Sequence, residues 1–334
     1  MRIHRAGKLA AGLMATALLA TACGSTGDEG AGGADGEIEP VKIGMSQIQS
    51  HPSLDAVVKG FKKGMEDAGY TGDKVSYDFQ NPQGDQSTNT AIMNQFAGDD
   101  LDLVLAVATP TAQAAAQAIN DVPILFSAVT DAEEAKLVSS NEAPGANVTG
   151  TSNRGPIKEQ LELLKKLDPE AETVGIVYSS GEVNSTIQVE WVKEAAAELD
   201  LKVKESSISA SSEVQQAAAS LDVDAFYVPN DNAVVSALEG LLQAAQSKKV
   251  PVVTADGASV KRGATVAYGI DYEKLGVQTA EMAVRILQDG DDPAEMPVET
   301  LEDVDLYVNT AAAEKAGVEI PQEMLDEAAE VYEK

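Results

Sequence analysis

Hydroxyl-bearing loops in the first half of the chain could bind the carboxylate of a small molecule. Thr109-Pro110-Thr111 has the pattern of a helix start, because Thr is a good N-cap and Pro is favoured at the first helical position. Unpaired N–H groups at a helix start attract anions, and Ser127 and Thr130 follow a neighbouring apolar run and add further hydroxyls. Since these loops contain no Lys or Arg, neutral donors and the helix dipole would hold the anion. A purely structural cap at Thr109 explains that residue equally well.

Carboxylates follow the predicted strands of the second half of the chain. The candidates are Glu182, Asp231, Asp256 and Asp271. One of them facing an ammonium group would complete a site for a zwitterion, so the two halves together favour an α-amino acid as ligand. Asp231 also has the sequence context of a helix N-cap. Tyr268, at a predicted strand end, is a candidate for stacking on a ligand.

Alternating strands and helices would position these loops from residue 40 onward. Predicted strands cover 41–45, 74–80, 101–108, 122–128, 173–178, 201–206, 225–228, 250–254 and 265–268. Predicted helices cover 54–68, 88–97, 110–119, 157–167, 185–199, 211–221, 233–246 and 272–288. This alternation predicts two doubly wound α/β domains with parallel sheets and right-handed crossovers. Ligands of such sheets bind beyond the carboxyl ends of the strands, where the polar loops fall.

The N-terminus has the pattern of a secretory signal. Arg2, Arg5 and Lys8 precede an apolar stretch over 9–22 that is too short to span a bilayer. The small residues before Cys23, the only cysteine, resemble the lipobox of bacterial lipoproteins. We therefore expect a signal peptide over 1–22 and lipidation of Cys23, which would anchor the protein to the outer face of the cell membrane. An ordinary signal peptide with an incidental cysteine is the alternative. Residues 23–39 are predicted to be a flexible acidic linker.

Composition limits the classes of ligand and of chemistry. The net charge is −30 and becomes −33 once residues 1–22 are removed, which disfavours nucleic acid as a partner. Two histidines, His4 and His51, and one cysteine leave no zinc-type constellation, so neither a metal nor a cofactor is expected. The chain has no G-x-S-x-G, Walker A or G-x-G-x-x-G motif, which disfavours a secreted hydrolase and predicts that the chain is not an enzyme.

Eight loops, in order, resemble those of the ABC-transporter substrate-binding lipoproteins that include tryptophan/tyrosine-binding members. They are SHPSLD (50–55), NPQGD (81–85), ATPTAQ (108–113), FSAVTD (126–131), PGANVTG (144–150), GEVNS (181–185), VPNDN (228–232) and YGIDY (268–272). The resemblance covers residues 40–325 and implies a type 1 periplasmic-binding-protein fold. Two lobes would be joined by three crossovers, near 150–156, 269–272 and 298–309, with a ligand cleft between them. Lobe 1 would comprise 40–152 and 272–300, and lobe 2 would comprise 153–271 and 301–334.

The resemblance also implies a site and a function. Residues facing the ligand would be Gln47, Thr109, Ser127 and Thr130 from lobe 1, and Glu182, Asn184, Asp231, Asp256 and Tyr268 from lobe 2. The expected function is that of a monomeric extracytoplasmic receptor that delivers a small zwitterion, with an aromatic amino acid favoured, to a membrane permease. A receptor for sugars or other small molecules and a sensory module that presents its ligand remain alternatives.

Overall fold

Thirteen strands and twelve helices make up the computed structural model, which describes residues 38–301 and 303–334. The strands are β1 Val41–Gln47, β2 Val75–Gln80, β3 Leu103–Val107, β4 Ile124–Val129, β5 Val148–Ser152, β6 Thr173–Ser179, β7 Lys202–Ile208, β8 Ala225–Val228, β9 Val252–Thr254, β10 Val266–Gly269, β11 Glu299–Thr300, β12 Asp305–Asn309 and β13 Glu330–Tyr332. The predicted signal peptide, Cys23 and most of the predicted linker lie outside the described residues.

The helices connect most of these strands. They are α1 Pro52–Asp67, α2 Gln86–Phe96, α3 Thr109–Ala118, α4 Ile157–Leu167, α5 Val183–Glu198, α6 Val214–Ser220, α7 Asn232–Ser236, α8 Leu238–Lys248, α9 Gly257–Lys261, α10 Tyr272–Val284, α11 Thr310–Ala316 and α12 Gln322–Glu327. Within the described ranges, none of these helices combines the length and the apolar character that a membrane crossing would require.

The first sheet has the order β11-β5-β4-β3-β1-β2 and is parallel throughout. β3 and β4 are buried along their whole length, as expected for strands covered by helices on both faces. The register pairs Gln47 with Val107 and Val107 with Ser127, so the carboxyl ends of β1, β3 and β4 are aligned. We call this sheet and the helices packed on it lobe 1.

The second sheet has the order β13-β12-β10-β9-β8-β6-β7 and forms lobe 2 with its helices. Its strands are parallel except for the pair β10–β12, which is antiparallel and departs from the all-parallel expectation. β12 directly follows β11, which belongs to the first sheet. No helical crossover within the second sheet therefore joins β12 to β10, and only such a crossover would require the two strands to be parallel. The predicted fold class, two α/β lobes joined by three crossovers, is confirmed by this arrangement.

Helix α10 follows a strand of lobe 2 but packs against α1 of lobe 1. Glycines allow this close approach. A Cβ built on Gly276 would lie 2.1 Å from the carbonyl oxygen of Val57, and one on Gly60 would lie 2.0 Å from the carbonyl oxygen of Glu273. Since α1 and α10 both begin beside the space between the lobes, this packing fixes two of its walls.

Several predicted elements differ from the observed ones. The predicted helix 233–246 is two helices, α7 and α8, that meet at Ala237, and the predicted helix 272–288 ends at Val284 and continues as a π-helical turn over Arg285–Asp289. Strand β5, helix α9 and the elements after residue 288 were not predicted from the sequence. These elements have two to seven residues, which is too short for hydrophobic periodicity to identify them.

Candidate ligand-binding cavity between the lobes

A cavity lies where the carboxyl ends of the two sheets face each other, and the space between atoms there is about 320 Å³, including a part that is open to solvent. Lobe 1 and the first crossover contribute His51, Ser53, Leu54, Thr109, Ala128, Asn153 and Tyr272. Lobe 2 contributes Asn184, Asn230, Asp231, Asn232, Val235 and Asp256. The lining is therefore mostly polar, with a few apolar side chains.

Two helices of lobe 1 begin at this cavity without a side-chain cap from the described residues. Helix α1 begins after His51, and helix α3 begins after Ala108. The sequence interpretation of Thr109 as the N-cap is wrong: Ala108 occupies that position with φ +76°, and Thr109 is the first helical residue. Uncapped N–H groups and the helix dipoles make this wall of the cavity electropositive. The positive φ of Ala108 is unfavourable for a residue with a side chain, and strained backbone conformations of this kind are common at binding sites.

Thr109 adds an unused donor to this wall. Its side chain is buried, and its hydroxyl has no hydrogen-bond partner in the described part of the chain. The Thr111 hydroxyl is buried and unpaired in the same sense, but it does not line the cavity. A buried hydroxyl without a partner costs free energy. A ligand in the cavity could pair with the Thr109 hydroxyl and recover that cost, whereas it would not reach the Thr111 hydroxyl.

Lobe 2 presents two fully buried carboxylates to the cavity. Asp231 accepts hydrogen bonds from the N–H groups of Val234 at 2.8 Å and Ser179 at 2.5 Å, so it caps α7 as the sequence suggested. Asp256 caps α9 and accepts a hydrogen bond of 2.9 Å from the hydroxyl of Ser53 in lobe 1. No Lys or Arg side chain in the described ranges forms an ion pair with either carboxylate. This wall is therefore electronegative.

Glu182 lies near Asp231 but outside the cavity lining. It accepts hydrogen bonds from the side-chain amides of Asn232 at 2.5 Å and Asn184 at 3.1 Å. Burial, together with the nearby Asp231, raises the pKa of Glu182 to about 7, and burial also raises the pKa of Asp231. Two buried carboxylates this close together favour a positively charged group beside them.

The raised pKa of Glu182 predicts how stability changes with pH. Its carboxyl group loses its proton near pH 4.5 when unfolded but near pH 7 when folded, so Glu182 destabilises the fold increasingly as the pH rises from 4.5 to 7. Glu182→Gln removes this penalty and should raise the free energy of unfolding at pH 8 by about 2–3 kcal/mol relative to the native protein, with little gain at pH 4.5. Urea unfolding at both pH values measures the difference.

The exposed Glu170→Gln is the control for that experiment and should change the free energy of unfolding by less than about 0.5 kcal/mol at either pH. An equal effect of Glu182→Gln at pH 4.5 and pH 8 would contradict the assignment.

The structure brings four of the nine predicted site residues to the cavity wall: Thr109, Asn184, Asp231 and Asp256. Asn184 donates to the backbone carbonyl of Asn230, and its own carbonyl oxygen is buried and unpaired among the described residues. Glu182 contacts the cavity only through Asn184 and Asn232. The carboxylate of Asp271, a further acidic candidate, caps α10 instead.

The structure places the other four predicted residues away from the cavity wall. Ser127 lies inside β4 and is hydrogen-bonded with Thr151 and Thr279, which joins the sheet to α10. Tyr268 lies inside β10, where its side chain packs on the core of lobe 2. Successive strand residues point to opposite faces, so residues before the strand end face helices and not the cavity.

Gln47 and Thr130 support the loops of lobe 1. Gln47 donates hydrogen bonds to the carboxylate of Asp55 and to the carbonyl oxygen of Gln49. The hydroxyl of Thr130 donates to the side-chain oxygen of Asn153 at 3.2 Å. Both side chains are buried, so each orders a loop beside the cavity without lining it.

Several lining residues were not predicted because only the tertiary fold brings them to the cavity. Asn153 and Tyr272 lie at two different crossovers and meet there: the Asn153 amide donates to the Tyr272 hydroxyl at 3.0 Å, and that hydroxyl donates to Asn230 at 3.1 Å. His51, Ser53 and Asn232 lie beside residues that sequence motifs had already singled out. Their place in the SHPSLD and VPNDN loops was the available signal.

Besides the bond from Tyr272 to Asn230, two further hydrogen bonds join side chains of the two lobes across the cleft. Ser53 of α1 donates to Asp256, and the side-chain amide of Gln49 donates to the hydroxyl of Ser236 in α7 at 2.8 Å. Gln49 and Ser236 do not line the cavity, so their bond closes the cleft outside it. The protein is therefore in a closed arrangement, with the cavity between the lobes.

Comparison with known proteins places this geometry in a family. Residues 42–332 match the ABC transporter substrate binding protein family. A protein of Clostridioides difficile (strain R20291), named tyrosine-binding protein, is 45% identical over 270 residues, which are 80% of this chain and 78% of that protein.

Solved structures give the same family and two conformations. An ABC domain from Streptococcus pneumoniae in complex with L-Trp superposes with a TM-score of 0.85 at 38% identity, over 88% of this chain and 100% of that one. A ligand-free, open substrate binding protein with adhesive properties from Clostridium difficile gives a TM-score of 0.67 at 43% identity, with the same coverage. The lower score at higher identity agrees with a closed cleft in this protein.

These findings confirm the resemblance seen in the loop motifs and the two-lobed fold class. Members of this family bind substrates for transport, which confirms that the protein is not an enzyme. With the cavity geometry and the match over residues 42–332, the chain belongs to the ABC transporter substrate-binding protein family.

Proposed function

We propose that this protein is the receptor of an ABC importer for an amino acid with an aromatic side chain. The observation that carries the proposal is the charge asymmetry of the cavity. Lobe 1 offers two uncapped helix N-termini and the unpaired hydroxyl of Thr109, and lobe 2 offers the buried carboxylates of Asp231 and Asp256. An α-carboxylate fits the first wall and an α-ammonium group fits the second.

The apolar part of the lining supports an aromatic side chain on the ligand. Leu54 and Ala128 from lobe 1 and Val235 from lobe 2 line the cavity together with the ring of Tyr272. Relatives support the same choice, since one similar structure contains L-Trp and one similar protein is named for tyrosine binding. A ligand that contacts both lobes stabilises the closed form, and the permease would then recognise that form.

The location of the protein is part of the proposal and rests on the sequence. The signal pattern over 1–22 and the lipobox-like setting of Cys23 support a monomeric lipoprotein tethered to the outer face of the cell membrane. The acidic residues of 23–39 would give the tethered lobes reach toward the permease.

Thermal unfolding of residues 38–334, which carry both sheets and their cores, tests the ligand class. Tryptophan, tyrosine or phenylalanine should raise the melting temperature in a concentration-dependent way, because a ligand that binds only the folded state stabilises it by mass action. At a concentration 1,000 times the Kd, the gain is about 4 kcal/mol. A shift with sugars and none with amino acids would overturn the zwitterion site.

Replacing Thr109 with Val should change affinity and stability in opposite directions. The isosteric change removes the donor for the ligand carboxylate, so we expect the Kd to rise about 10-fold. Without ligand, loss of a buried unpaired hydroxyl should leave the free energy of unfolding unchanged or higher. Isothermal titration calorimetry and urea unfolding measure the two effects.

Thr111→Val is the matched control, because that hydroxyl is equally buried and unpaired in the described structure but does not line the cavity. It should share the effect on stability and leave the Kd unchanged. Equal loss of affinity in both variants would contradict a direct contact from Thr109.

A further inference from the structure

His51 is the least explained polar side chain of the cavity. It lies between β1 and α1, lines the cavity and is 8% exposed. Neither Nδ1 nor Nε2 has a hydrogen-bond partner among the described residues. His51 occupies the N-cap position of α1, but its side chain makes no capping bond. No structural role of the ring within the described chain therefore accounts for its position.

The environment of His51 keeps its ring neutral. Burial lowers its pKa and outweighs the opposing influence of the Asp256 carboxylate, the nearby side chain of Asn232 and the Asp55 carboxylate, while Arg262 lowers the pKa further. A neutral imidazole has one nitrogen that donates and one that accepts a hydrogen bond. The ring can thus pair with an O–H or N–H group of a ligand without carrying a charge.

Among the described residues that line the cavity, three carry buried polar atoms without a hydrogen-bond partner: His51, Thr109 and Asn184. The N-terminus of α3 and Thr109 suit the carboxylate, and Asp231 and the free side-chain oxygen of Asn184 suit the ammonium group. His51 remains, and the apolar side chains of Leu54 and Val235 share its cavity. A polar group placed beside apolar side chains is the usual means of recognising a substituted ring.

We propose that His51 reads the polar group of the ligand's aromatic ring, so that the receptor selects tyrosine and tryptophan over phenylalanine. This inference rests on the proposed function and specifies it. The phenol O–H and the indole N–H both donate to the unprotonated imidazole nitrogen. A bare phenyl ring leaves that buried nitrogen unpaired, and sites built for a polar group discriminate strongly against analogues that lack it.

Calorimetric titration with tyrosine, tryptophan and phenylalanine tests the inference. The native protein should bind tyrosine and tryptophan at least about 10-fold more tightly than phenylalanine. His51→Leu, which has a similar volume, should lower the affinities for tyrosine and tryptophan to that for phenylalanine. His51→Gln keeps a donor and an acceptor and should restore part of the preference. The neighbouring Ser50→Ala, outside the cavity lining, is the control and should leave all three affinities unchanged.

The outcomes separate this inference from the proposed function. If the native protein binds tyrosine and phenylalanine equally, the inference is wrong and the proposed function stands. If His51→Leu weakens all three ligands by the same factor, the ring serves the common amino-acid group and the inference is also wrong. If none of the three binds, the proposed function fails and the inference falls with it. The preference of the native protein is measured without any variant, so a variant that fails to fold does not remove the test.

Discussion

Replacing Asp231 with Asn is expected to lower the affinity for the amino acid by 100-fold or more. Asp231 is fully buried, faces the cavity and has no ion-pair partner in the described ranges, so a ligand ammonium group would be its counter-charge. Truncating one partner of a buried charge pair typically costs about 2–5 kcal/mol of binding free energy. Asn can still accept from the N–H of Val234 and cap α7, although it cannot also accept from Ser179.

A ligand without the amine isolates the charge from other effects of this substitution. The native protein should bind 3-(4-hydroxyphenyl)propionate far more weakly than tyrosine, whereas Asp231→Asn should bind the two with similar affinity. Measuring two ligands on each of the two proteins forms a thermodynamic cycle. This cycle removes any contribution from altered stability, because both ligands are compared on the same protein. A native preference for tyrosine that persists in Asp231→Asn would assign the ammonium group to another residue.

Comparing the affinity lost in Asp256→Asn with that lost in Asp231→Asn shows which carboxylate lies beside the ammonium group of the ligand. The Asn side chain can keep the bond from the Ser259 N–H and donate to the Ser259 hydroxyl, so the cap of α9 survives. We expect a smaller loss of affinity than for Asp231→Asn, through the weakened contact with Ser53 across the lobes. If Asp256→Asn has the larger effect, the ammonium group lies beside Asp256.

The second large effect is expected on stability, from Gly276→Ala. The added methyl group would lie 2.1 Å from the carbonyl oxygen of Val57 and 2.8 Å from the amide nitrogen of Phe61. Both are backbone atoms of α1, so neither can move aside without separating the two helices. We expect a loss of about 3 kcal/mol or more in the free energy of unfolding, at the upper end for overpacked cores.

Gly98→Ala is the control for the helix packing, because its nearest neighbour would be the carbonyl oxygen of Gln95 at an ordinary 3.5 Å. This variant should change the free energy of unfolding by less than about 1 kcal/mol in urea denaturation. A loss below 1 kcal/mol for Gly276→Ala would mean that α1 and α10 can move apart at little cost.

The sequence contained enough information to predict the fold but only part of the site. The apolar run of β3 and the amphipathic pattern of α4 have strong periodic signals, and both elements occur where they were expected. Asp231 and Asp256 were found because an acidic residue after a strand both caps a helix and faces the ligand edge.

The remaining features depend on tertiary structure. The positive φ of Ala108 moves the helix start by one residue, and no residue type in that loop indicates it. The direction of Ser127 depends on where β4 ends, which sequence patterns locate only to within a few residues. Asn153 and Tyr272 are 119 residues apart and meet only because the chain passes between the lobes several times.

The bond between Gln49 and Ser236 bears on the time a ligand stays in the receptor. Because this bond spans the cleft together with those from Ser53 to Asp256 and from Tyr272 to Asn230, a captured molecule leaves only after the bonds between the lobes have broken. Dissociation is then limited by the opening rate of the lobes, whichever ligand is held. A receptor of this kind retains its cargo between capture and delivery, and its transporter must supply the work that separates the lobes.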